Sequence, residues 1–475
     1  MKKILYAMLP VLLFTTACEK GITDINVNPK SPLIVPSATV FTNAERVLTN
    51  TLTSANVNLN IFRLIEQQWQ ETTYTDESNY DIDTRTIPDG VWNALYRDVL
   101  KNFDQVKALG ANEELSTDNR NTNNAITDVL QVYTYYYLLT TFGNIPYTQA
   151  LNDAVLFPKY DDAKTVYDAL LTRLDADIAV LNTGTSSLGS ADIVYGGDAA
   201  KWKLFANTFK LKMGITLADL DNAKAKTVVE AAVAAGVFTS NANNAVFQYL
   251  SAPPNTNPIW VDLVQSGRKD FVANSTLINQ LKSNNDPRLP LYFTTDASGG
   301  YSGGAPGASS NYATFSKPAN TIIAPDFPGL LLGYSETQFN LAEAVERGYN
   351  VGGTAATHYN AAITASILFW KGSVNSAETY LLNTSVAYPT AAGTYKQKIG
   401  LQKWIALYNR GWDAWIEQRR LDFPVLTAPA TALSAFPLRF TYPVNEGNTN
   451  GANVTAASTA IGGNLVTTKL FFDRN

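Results

Sequence analysis

Apolar residues recur along most of this chain with the period of an amphipathic helix. In residues 198–220, for example, Trp202, Phe205, Phe209 and Met213 follow at spacings of three and four, which places them on one helix face. The same pattern predicts further helices over residues of about 38–73, 89–109, 124–141, 163–181, 227–235, 335–347, 355–371, 377–383 and 402–420. The fold class is therefore predicted to be mostly α.

Consecutive helices joined by short loops predict stacked helix pairs, as in tetratricopeptide arrays. The chain shows no strict repeat of about 34 residues, so any repeats are expected to be degenerate. Two segments, residues 241–268 and 284–330, lack the helical period and are rich in Gly and Pro, which indicates loops. Loops of this length are usually functional or form an irregular subdomain.

The mature chain is predicted to form one domain, at residues 37–475. After residue 421 the pattern changes to short strand-like pieces such as residues 438–443, followed by a tail of Asn, Gly, Ala and Thr. The predicted helical scaffold and the predicted loop-rich parts alternate along the chain, at about 37–235 and 334–420 for the scaffold and about 236–333 and 421–475 for the loops.

The start of the chain has the pattern of a lipoprotein signal peptide. Two lysines follow the initial methionine, an apolar run covers residues 4–14, and small residues precede Cys18, the single cysteine. The apolar run is shorter than the about 20 residues that span a bilayer. We therefore predict a signal peptide over residues 1–17, a lipid on Cys18 and a tether over residues 18–36. A secreted protein with an unrelated cysteine at this position is the alternative.

Composition narrows the chemistry that the chain can perform. It has 475 residues, 45% of them hydrophobic, with one cysteine, one histidine and a formal net charge of −5. Cysteine-rich zinc sites, Cys–His dyads and multi-histidine metal sites are therefore excluded, and no basic block indicates a nucleic-acid partner. A Ser-His-Asp triad could use only His358, which we interpret as a packing or surface residue. No cofactor is predicted; a structural Ca²⁺ in the acidic loops stays open, without EF-hand spacing.

Six blocks of sequence follow one family pattern in order. They are Phe142-Gly143-Asn144-Ile145-Pro146-Tyr147; Phe157-Pro158-Lys159-Tyr160-Asp161 with Val166-Tyr167 and Leu174-Asp175; Tyr195-Gly196-Gly197-Asp198 with Lys201-Trp202 and Phe205-Ala206-Asn207; Phe339-Asn340-Leu341-Ala342-Glu343-Ala344; Gln402-Lys403-Trp404-Ile405-Ala406-Leu407 with Ala414-Trp415 and Arg419-Arg420; and Pro437-Leu438-Arg439 with Tyr442-Pro443. In this order they resemble the SusD/RagB family of Bacteroidota, and within it the SusD-like nutrient-binding outer-membrane lipoproteins. The chain departs from the family at its end, where residues 469–473 stand in place of the usual two tryptophans.

The resemblance implies a SusD-like fold, in which degenerate tetratricopeptide-like helix pairs form a scaffold and a loop-rich irregular subdomain presents the ligand site. It also implies a lipid-anchored protein on the outer face of the outer membrane. Such a protein captures a glycan or a peptide and delivers it to a SusC-like TonB-dependent β-barrel transporter, without catalysis. Whether the ligand is an oligosaccharide or an oligopeptide stays open, because the loops set specificity.

The segment 69–80 is the first candidate for a ligand site, because it mixes aromatic rings with carboxylates, amides and hydroxyls, as sugar recognition requires. Its candidate contacts are Trp69, Tyr74, Asp76, Glu77 and Tyr80. In glycan-binding relatives an aromatic residue on the matching helix lies at the site, which the resemblance places at Trp92 with Asn93. Trp92 also fits the buried stripe of its own helix. Trp260 and Tyr301, on the long loops, complete the candidates.

Two other functions stay open from the sequence. Paired carboxylates keep an all-helical glycoside hydrolase in consideration, at Asp76/Glu77, Asp81/Asp83, Glu113/Glu114 and Asp161/Asp162. A lipid-anchored surface adhesion protein is the third hypothesis.

Structural roles are expected for several charged residues of the six blocks. Asp161 is interpreted as a helix cap, and Glu343 as bonded to backbone or to an arginine. The pair Arg419-Arg420 suits the negative end of a helix dipole, and pairing with Asp413 or Glu417 is a further expectation.

Overall fold

The computed structural model of the chain describes residues 35–474, and the largest share of them lies in helices. The predicted signal peptide, Cys18 and most of the predicted tether lie outside the described residues. The helices of the N-terminal half are α1 (Ser37–Thr53), α2 (Phe62–Ile65), α3 (Ile87–Asn93), α4 (Lys101–Gly110), α5 (Thr117–Phe142), α6 (Ala163–Leu181), α7 (Ala199–Thr216) and α8 (Asn222–Ala235). A π-helical segment, Ala94–Leu100, joins α3 to α4.

The second half mixes longer helices with short ones. They are α9 (Pro258–Trp260), α10 (Ser275–Ser283), α11 (Leu289–Tyr292), α12 (Tyr334–Glu346), α13 (Ala355–Phe369), α14 (Val374–Leu381), α15 (Tyr395–Ala406), α16 (Gly411–Leu421), α17 (Val444–Thr449) and α18 (Gly451–Ala460). A second π-helical segment, Val261–Gln265, follows α9. No helix among residues 35–474 is long and apolar enough to cross a membrane.

Four short strands form two antiparallel pairs. Strand β1 (Trp69–Glu71) pairs with β3 (Phe271–Ala273), with Trp69 opposite Ala273 and Glu71 opposite Phe271. Strand β2 (Ala245–Phe247) pairs with β4 (Gly329–Leu332). Each pair fastens a loop-rich segment to a part of the chain that is distant in sequence.

The long helices confirm the mostly α prediction, although several predicted boundaries differ from the observed ones. The predicted helix 38–73 ends at Thr53, because side chains take over its last carbonyl groups: Asn60 donates to the carbonyls of Thr51 and Leu52, and Arg63 to those of Thr53 and Ser54.

The predicted helix 402–420 is two helices, because the chain bends at Asn409, whose φ is 67°. Residues 438–443, expected to be strand-like, form neither helix nor strand. Helices α10, α17 and α18 lie in segments whose composition predicted loops.

Aspartates cap three of the scaffold helices. Asp162 accepts a hydrogen bond from the Thr165 backbone at the start of α6, and Asp198 and Asp221 do the same for α7 and α8. The cap expected at Asp161 is therefore one residue later. Asp161 instead accepts hydrogen bonds from the backbone N–H groups of Tyr147 and Thr148, which fixes the loop before α6.

Helices pack in consecutive pairs, α5 with α6, α7 with α8 and α12 with α13, and neighbouring pairs contact each other through α6 with α7 and α7 with α12. Helix α5 runs through the main core, where Tyr133, Tyr136 and Tyr137 are fully buried. A second core lies below the loop-rich part and is built around Trp69, Tyr292, Trp370, Trp404 and Tyr408. The stacked pairs confirm the scaffold that the resemblance implied.

Eight buried charged residues tie α16 to the other scaffold helices, and we call them the buried ion network. Lys212 and Arg410 both pair with Glu336 and with Asp413, at 2.5–2.7 Å. Lys403 pairs with Glu417, and Arg420 pairs with Glu417 and Glu343, at 2.5–2.8 Å. The network holds equal numbers of cations and anions, which limits the cost of burying them.

The network confirms the expected pairing of Arg420 with Glu417, and Glu343 is bonded to an arginine as expected. Glu343 also pairs with Arg347 at the edge of the network. The neighbouring Arg419 has a different role, because it donates to the carbonyls of Thr140 and Leu438 and so links α5 to the C-terminal segment.

Candidate ligand-binding site

Three segments meet beside the β1–β3 pair. Beyond the last paired residue, the Thr72 N–H donates to the Asp270 carbonyl at 2.8 Å, and the Ser310 N–H donates to the Thr72 carbonyl at 3.0 Å. The Thr72 hydroxyl also donates to the Lys269 carbonyl at 2.7 Å. Thr72, the residue after β1, therefore joins the 69–80 segment to both long loops.

Side chains from the 69–80 segment hold the second loop in place. The amide of Gln70 donates to the Ala308 carbonyl at 2.9 Å and accepts from the Gly307 N–H at 3.1 Å. The Asn79 amide donates to the Gly307 carbonyl at 2.8 Å. Gly307 has φ +75°, and an added Cβ would lie 2.4 Å from the Asn79 Oδ1, so this turn needs glycine.

The outer face of this junction is an open depression, and we call residues 72–74, 268–270 and 309–312 the Tyr74–Tyr312 surface. The depression has a volume of about 550 Å³ and is lined by Thr72, Thr73, Lys269, Asp270 and the residues from Ser309 to Tyr312. An adjoining recess of about 50 Å³ shares Thr73 and Asp270 with it and reaches Tyr74, Glu77 and Arg85. Hydroxyl, amide, carboxylate and ammonium groups thus surround two tyrosine rings.

Tyr74 is the most exposed aromatic side chain of this surface, at 79%. Its backbone has φ 52°, a left-handed conformation that costs a non-glycine residue roughly 1–2 kcal/mol. Neither burial nor backbone preference accounts for a tyrosine here. A strained and exposed aromatic residue is the kind of exception that indicates a functional contact.

Tyr312 is close to two lysines. The Lys269 ammonium is 5.8 Å from the centre of the ring, and the Lys317 ammonium is 5.3 Å from it. At such distances the ring face attracts the cations, with an energy of about 0.5–1 kcal/mol at exposed positions. The half-buried ring therefore has two cationic neighbours at the edge of the depression.

Two acidic side chains, Glu71 and Glu77, are buried below Tyr74. Burial, and then the hydrogen bond and charge of Glu77, raise the pKa of Glu71 to about 9. Burial also raises the pKa of Glu77, against the charge of Arg85, whose Nε lies 2.6 Å from the Glu77 Oε1. At neutral pH the Glu71 carboxyl is therefore uncharged and donates to Glu77.

The structure separates the five candidates of the 69–80 segment. Trp69 is buried, stacked near Arg63 and Phe271, and donates from Nε1 to the Tyr408 hydroxyl. Tyr80 is buried against Phe436, and Glu77 is buried beside Arg85. Tyr74 is exposed, and the half-exposed Asp76 carboxylate pairs with Arg85.

Trp92 has 7% of its surface exposed and packs against the rings of Tyr96, Phe142 and Tyr160. Its place on the buried stripe of α3 therefore leaves little of the ring accessible, whereas the neighbouring Asn93 is exposed. Trp260 is half-buried at the end of α9. Tyr301 is half-buried against the second core, and its carbonyl accepts from the Lys282 ammonium.

The sequence did not single out Lys269, Tyr312 or Lys317. All three lie on the two segments that were predicted to be loops or lie next to them, so loop length was the one signal that pointed to them. Their proximity to Tyr74 depends on the pairing of β1 with β3, which no local pattern indicates.

Other depressions offer less to a ligand. One of about 480 Å³ lies between α6 and the C-terminal residues, and one of about 580 Å³ lies beside α14. Their rings are the half-buried Phe471 and the buried Tyr380. A cavity of about 50 Å³ beside Trp370 and Tyr408 has room for a few water molecules and not for a sugar ring.

Carboxylates from the pairs noted in the sequence accept hydrogen bonds that stabilise the fold. Asp81 accepts from the Thr84 N–H, Asp83 from the Thr441 hydroxyl and Glu113 from the backbone and hydroxyl of Ser37. Within residues 35–474 no group of three or more His, Cys, Asp or Glu side chains could hold a metal ion.

His358 also has structural contacts. One ring nitrogen, Nδ1, lies 2.7 Å from the Gln338 Oε1, and the other lies 3.0 Å from the Gly352 carbonyl. The side chain therefore packs α13 against α12, as its interpretation as a packing residue expected.

Comparison with known proteins gives one family. The family described as SusD-like, "Starch-binding associating with outer membrane", matches residues 29–443. No curated protein matches the chain in sequence.

Solved structures match over nearly the whole chain. A chitin-binding protein is 26% identical with a TM-score of 0.80, and the match covers 92% of this chain and 100% of that chain. A SusD-like protein from Bacteroides thetaiotaomicron is 25% identical with a TM-score of 0.76, over 91% of this chain and 99% of that chain. A chitin-binding SusD homolog from Flavobacterium johnsoniae is 24% identical with a TM-score of 0.77, over 92% and 98%.

Proposed function

This chain belongs to the SusD-like family, and from that premise we propose that it captures a glycan at the Tyr74–Tyr312 surface and passes it to a SusC-like TonB-dependent transporter. The observation that carries the proposal is the match to a chitin-binding protein over that protein's full length. A lipid on Cys18 would hold the protein at the outer face of the outer membrane. Its role there is binding and delivery, without catalysis.

The chemistry of the Tyr74–Tyr312 surface supports a sugar as the ligand. A pyranose ring presents C–H groups on its faces and hydroxyl groups around its rim, so it needs an aromatic face and hydrogen-bonding partners together. Tyr74 offers an exposed ring, and Thr73, Ser309 and Asn311 offer neutral hydroxyl and amide groups. The depression is open, which suits one stretch of a longer chain.

The same surface gives little support to a hydrolase. Retaining glycosidases hold two carboxyl groups about 5–5.5 Å apart, and inverting ones hold them farther apart. Glu71 and Glu77 bond directly to each other, and both are buried. Asp270 pairs with Arg268, and Asp76 pairs with Arg85. Each carboxyl group near the depression therefore has a structural partner.

A titration of the protein with panels of oligosaccharides and oligopeptides tests the binding role. We expect saturable binding of a glycan, weakened about tenfold by Tyr74→Ala, since truncating one central aromatic contact costs more than 1 kcal/mol. Leu382→Ala is the control, because Leu382 is 82% exposed and lies beside α14. Binding of peptides alone, or of no panel member even in complex with a β-barrel partner, would contradict the proposal.

Purification from native outer membranes tests the partner and the anchor. We expect a β-barrel transporter to copurify with the lipidated protein. Cys18→Ala is expected to give a folded protein that leaves the membrane fraction. A Cys18→Ala protein that stays with the membrane would show that another element attaches it.

A further inference from the structure

The charged groups of the Tyr74–Tyr312 surface, together with the neighbouring Lys317, are not balanced. The Arg268 Nε lies 2.7 Å from the Asp270 carboxylate, so these two charges offset each other. In the adjoining recess Arg85 faces both Glu77 and Asp76. Lys269 and Lys317 pair with no carboxylate anywhere in residues 35–474, although the chain as a whole carries more acidic than basic residues.

Both unpaired ammonium groups approach the same ring. The Lys269 ammonium lies 5.8 Å and the Lys317 ammonium 5.3 Å from the centre of the Tyr312 ring. Lys269 precedes β3 in the chain, and Lys317 follows the 309–312 loop. The Lys269 backbone is fixed by its carbonyl, which accepts from the Thr72 hydroxyl. Two ammonium groups without a carboxylate partner therefore share one aromatic neighbour, and that ring lines the depression.

An anion at the edge of the depression would supply the charged partner that both lysines lack. The ring of Tyr312 lies near both ammonium groups, and Ser309 and Asn311 supply neutral hydrogen-bonding groups on the same surface. A free small anion would leave Tyr74 and the open length of the depression without a role. A sugar that carries its own acidic group uses the rings, the neutral groups and both ammonium groups at once.

We propose that the ligand of the Tyr74–Tyr312 surface is an anionic oligosaccharide, whose carboxylate or sulfate group binds at the Tyr312 edge of the depression and contacts Lys269 and Lys317. This inference rests on the proposed glycan-binding function and adds the chemical class of the ligand. The aromatic rings contribute affinity for the sugar backbone, and the lysines discriminate charged from uncharged chains of the same shape.

The test uses the full-length lipidated protein in detergent and two matched pairs of ligands, within a broad panel of neutral and anionic oligosaccharides. Oligogalacturonates and their methyl esters differ in carboxylate charge, and sulfated galactan oligosaccharides and their desulfated forms differ in sulfate charge. The pair that shows the difference identifies the anionic group. Binding is measured by calorimetry at 50 and 300 mM NaCl, because exposed contacts are screened by salt.

We expect the anionic member of one pair to bind more tightly than its neutral partner, with a difference that shrinks in high salt. Lys269→Gln and Lys317→Gln should each weaken binding about threefold and together about tenfold, the range of exposed charge pairs. Lys282→Gln is the matched control, since its ammonium donates to the Tyr301 carbonyl and lies outside the Tyr74–Tyr312 surface.

Four outcomes separate this inference from the function on which it rests. Tighter binding of an anionic ligand that both glutamine variants weaken supports it. Binding of neutral glycans alone overturns the inference and leaves the proposed function standing. Undiminished binding of an anionic ligand by both glutamine variants also overturns the inference, because other residues then bind the anionic group. Binding of no oligosaccharide overturns the proposed function itself.

Discussion

The buried ion network and the Tyr74–Tyr312 surface use charged side chains in opposite ways. In the network, Lys212, Lys403, Arg410 and Arg420 meet four carboxylates and none of the eight is exposed to water by more than a small fraction. At the surface, Lys269 and Lys317 share an aromatic ring as neighbour, and neither pairs with a carboxylate of residues 35–474.

The contrast separates buried charges, on which folding depends, from exposed charges that are available to the proposed ligand. A buried charge without a partner costs several kcal/mol, so the network has to be balanced. An exposed lysine stays hydrated and costs little when it is unpaired. An excess of one charge is therefore tolerated only at the surface, and its sign there indicates the charge of the ligand that we propose.

The largest expected effect is at the centre of the network. Arg420→Ala should lower the free energy of unfolding by about 4 kcal/mol, because it leaves Glu343 and Glu417 buried without this partner. Denaturant unfolding followed by circular dichroism measures it. Arg268→Ala breaks an exposed pair with Asp270 and should cost less than about 1 kcal/mol. Equal costs for the two variants would remove the contrast between the regions.

A substitution of Trp92 tests whether this predicted ligand contact serves the core or the ligand site. Trp92→Ala should cost about 3 kcal/mol of stability, because it leaves a cavity among Tyr96, Phe142 and Tyr160. The folded variant should bind glycan with unchanged affinity. A variant of native stability that loses binding would restore Trp92 to the ligand site.

The contributions of Glu336, in the buried ion network, and of Glu71, below Tyr74, to the free energy of unfolding should change in opposite directions with pH. The charges of Lys212 and Arg410 outweigh burial and lower the pKa of Glu336 to about 2. Its stabilising contribution is therefore present above the ordinary value of 4.5 and is lost as the pH falls towards 2. Glu71, with its pKa raised to about 9, keeps a proton that the unfolded chain releases near 4.5, so its contribution declines as the pH rises between these values.

Glu71→Gln sharpens this contrast. The amide keeps the shape of the protonated acid and cannot lose a proton, so at pH 8 the variant should be more stable than the native protein by about 1 kcal/mol, with no gain at pH 4. Glu336→Gln should destabilise the protein at both neutral and alkaline pH. Thermal unfolding at pH 4, 6 and 8 measures both, and a stabilising Glu336→Gln would contradict the interpretation of the network.

The smallest effect on stability is expected at Tyr74. Tyr74→Gly relieves the left-handed backbone and adds chain entropy to the unfolded state, so the free energy of unfolding should change by less than about 1 kcal/mol. Affinity for the glycan should nevertheless fall about tenfold. Unchanged affinity in this variant would move the site away from the Tyr74–Tyr312 surface, and a large loss of stability would give Tyr74 a structural role.

Much of the fold was predictable because its signals are local. The spacing of Trp202, Phe205 and Phe209 defines one helix face, and all three residues are buried. The starts of α6 and α7 were predicted within one residue, whereas α8 begins five residues before the predicted start at 227. The boundaries that failed at Thr53 and Asn409 depend on side chains from elsewhere in the chain: Arg63 donates to the Thr53 carbonyl, and the Gln68 Oε1 accepts from the Asn409 N–H.

The site was less predictable than the fold for the same physical reason. Composition pointed to the 69–80 segment, which lies at one side of the Tyr74–Tyr312 surface, yet it could not tell the exposed Tyr74 from the buried Trp69 and Tyr80. An aromatic residue suits a core and a sugar site equally well, and only its neighbours decide between them.

The mostly α class, the helix pairs and the family follow from the amino-acid sequence, because periodicity, caps and ordered motifs depend on residues that are close along the chain. Which rings are exposed and which charges are paired follows only from the packing of the folded chain. Thr72 and Lys269 are 197 residues apart and meet through the β1–β3 pair. A contact of that range depends on how the whole chain packs, so the unpaired lysines and their ring become visible only when the fold is complete.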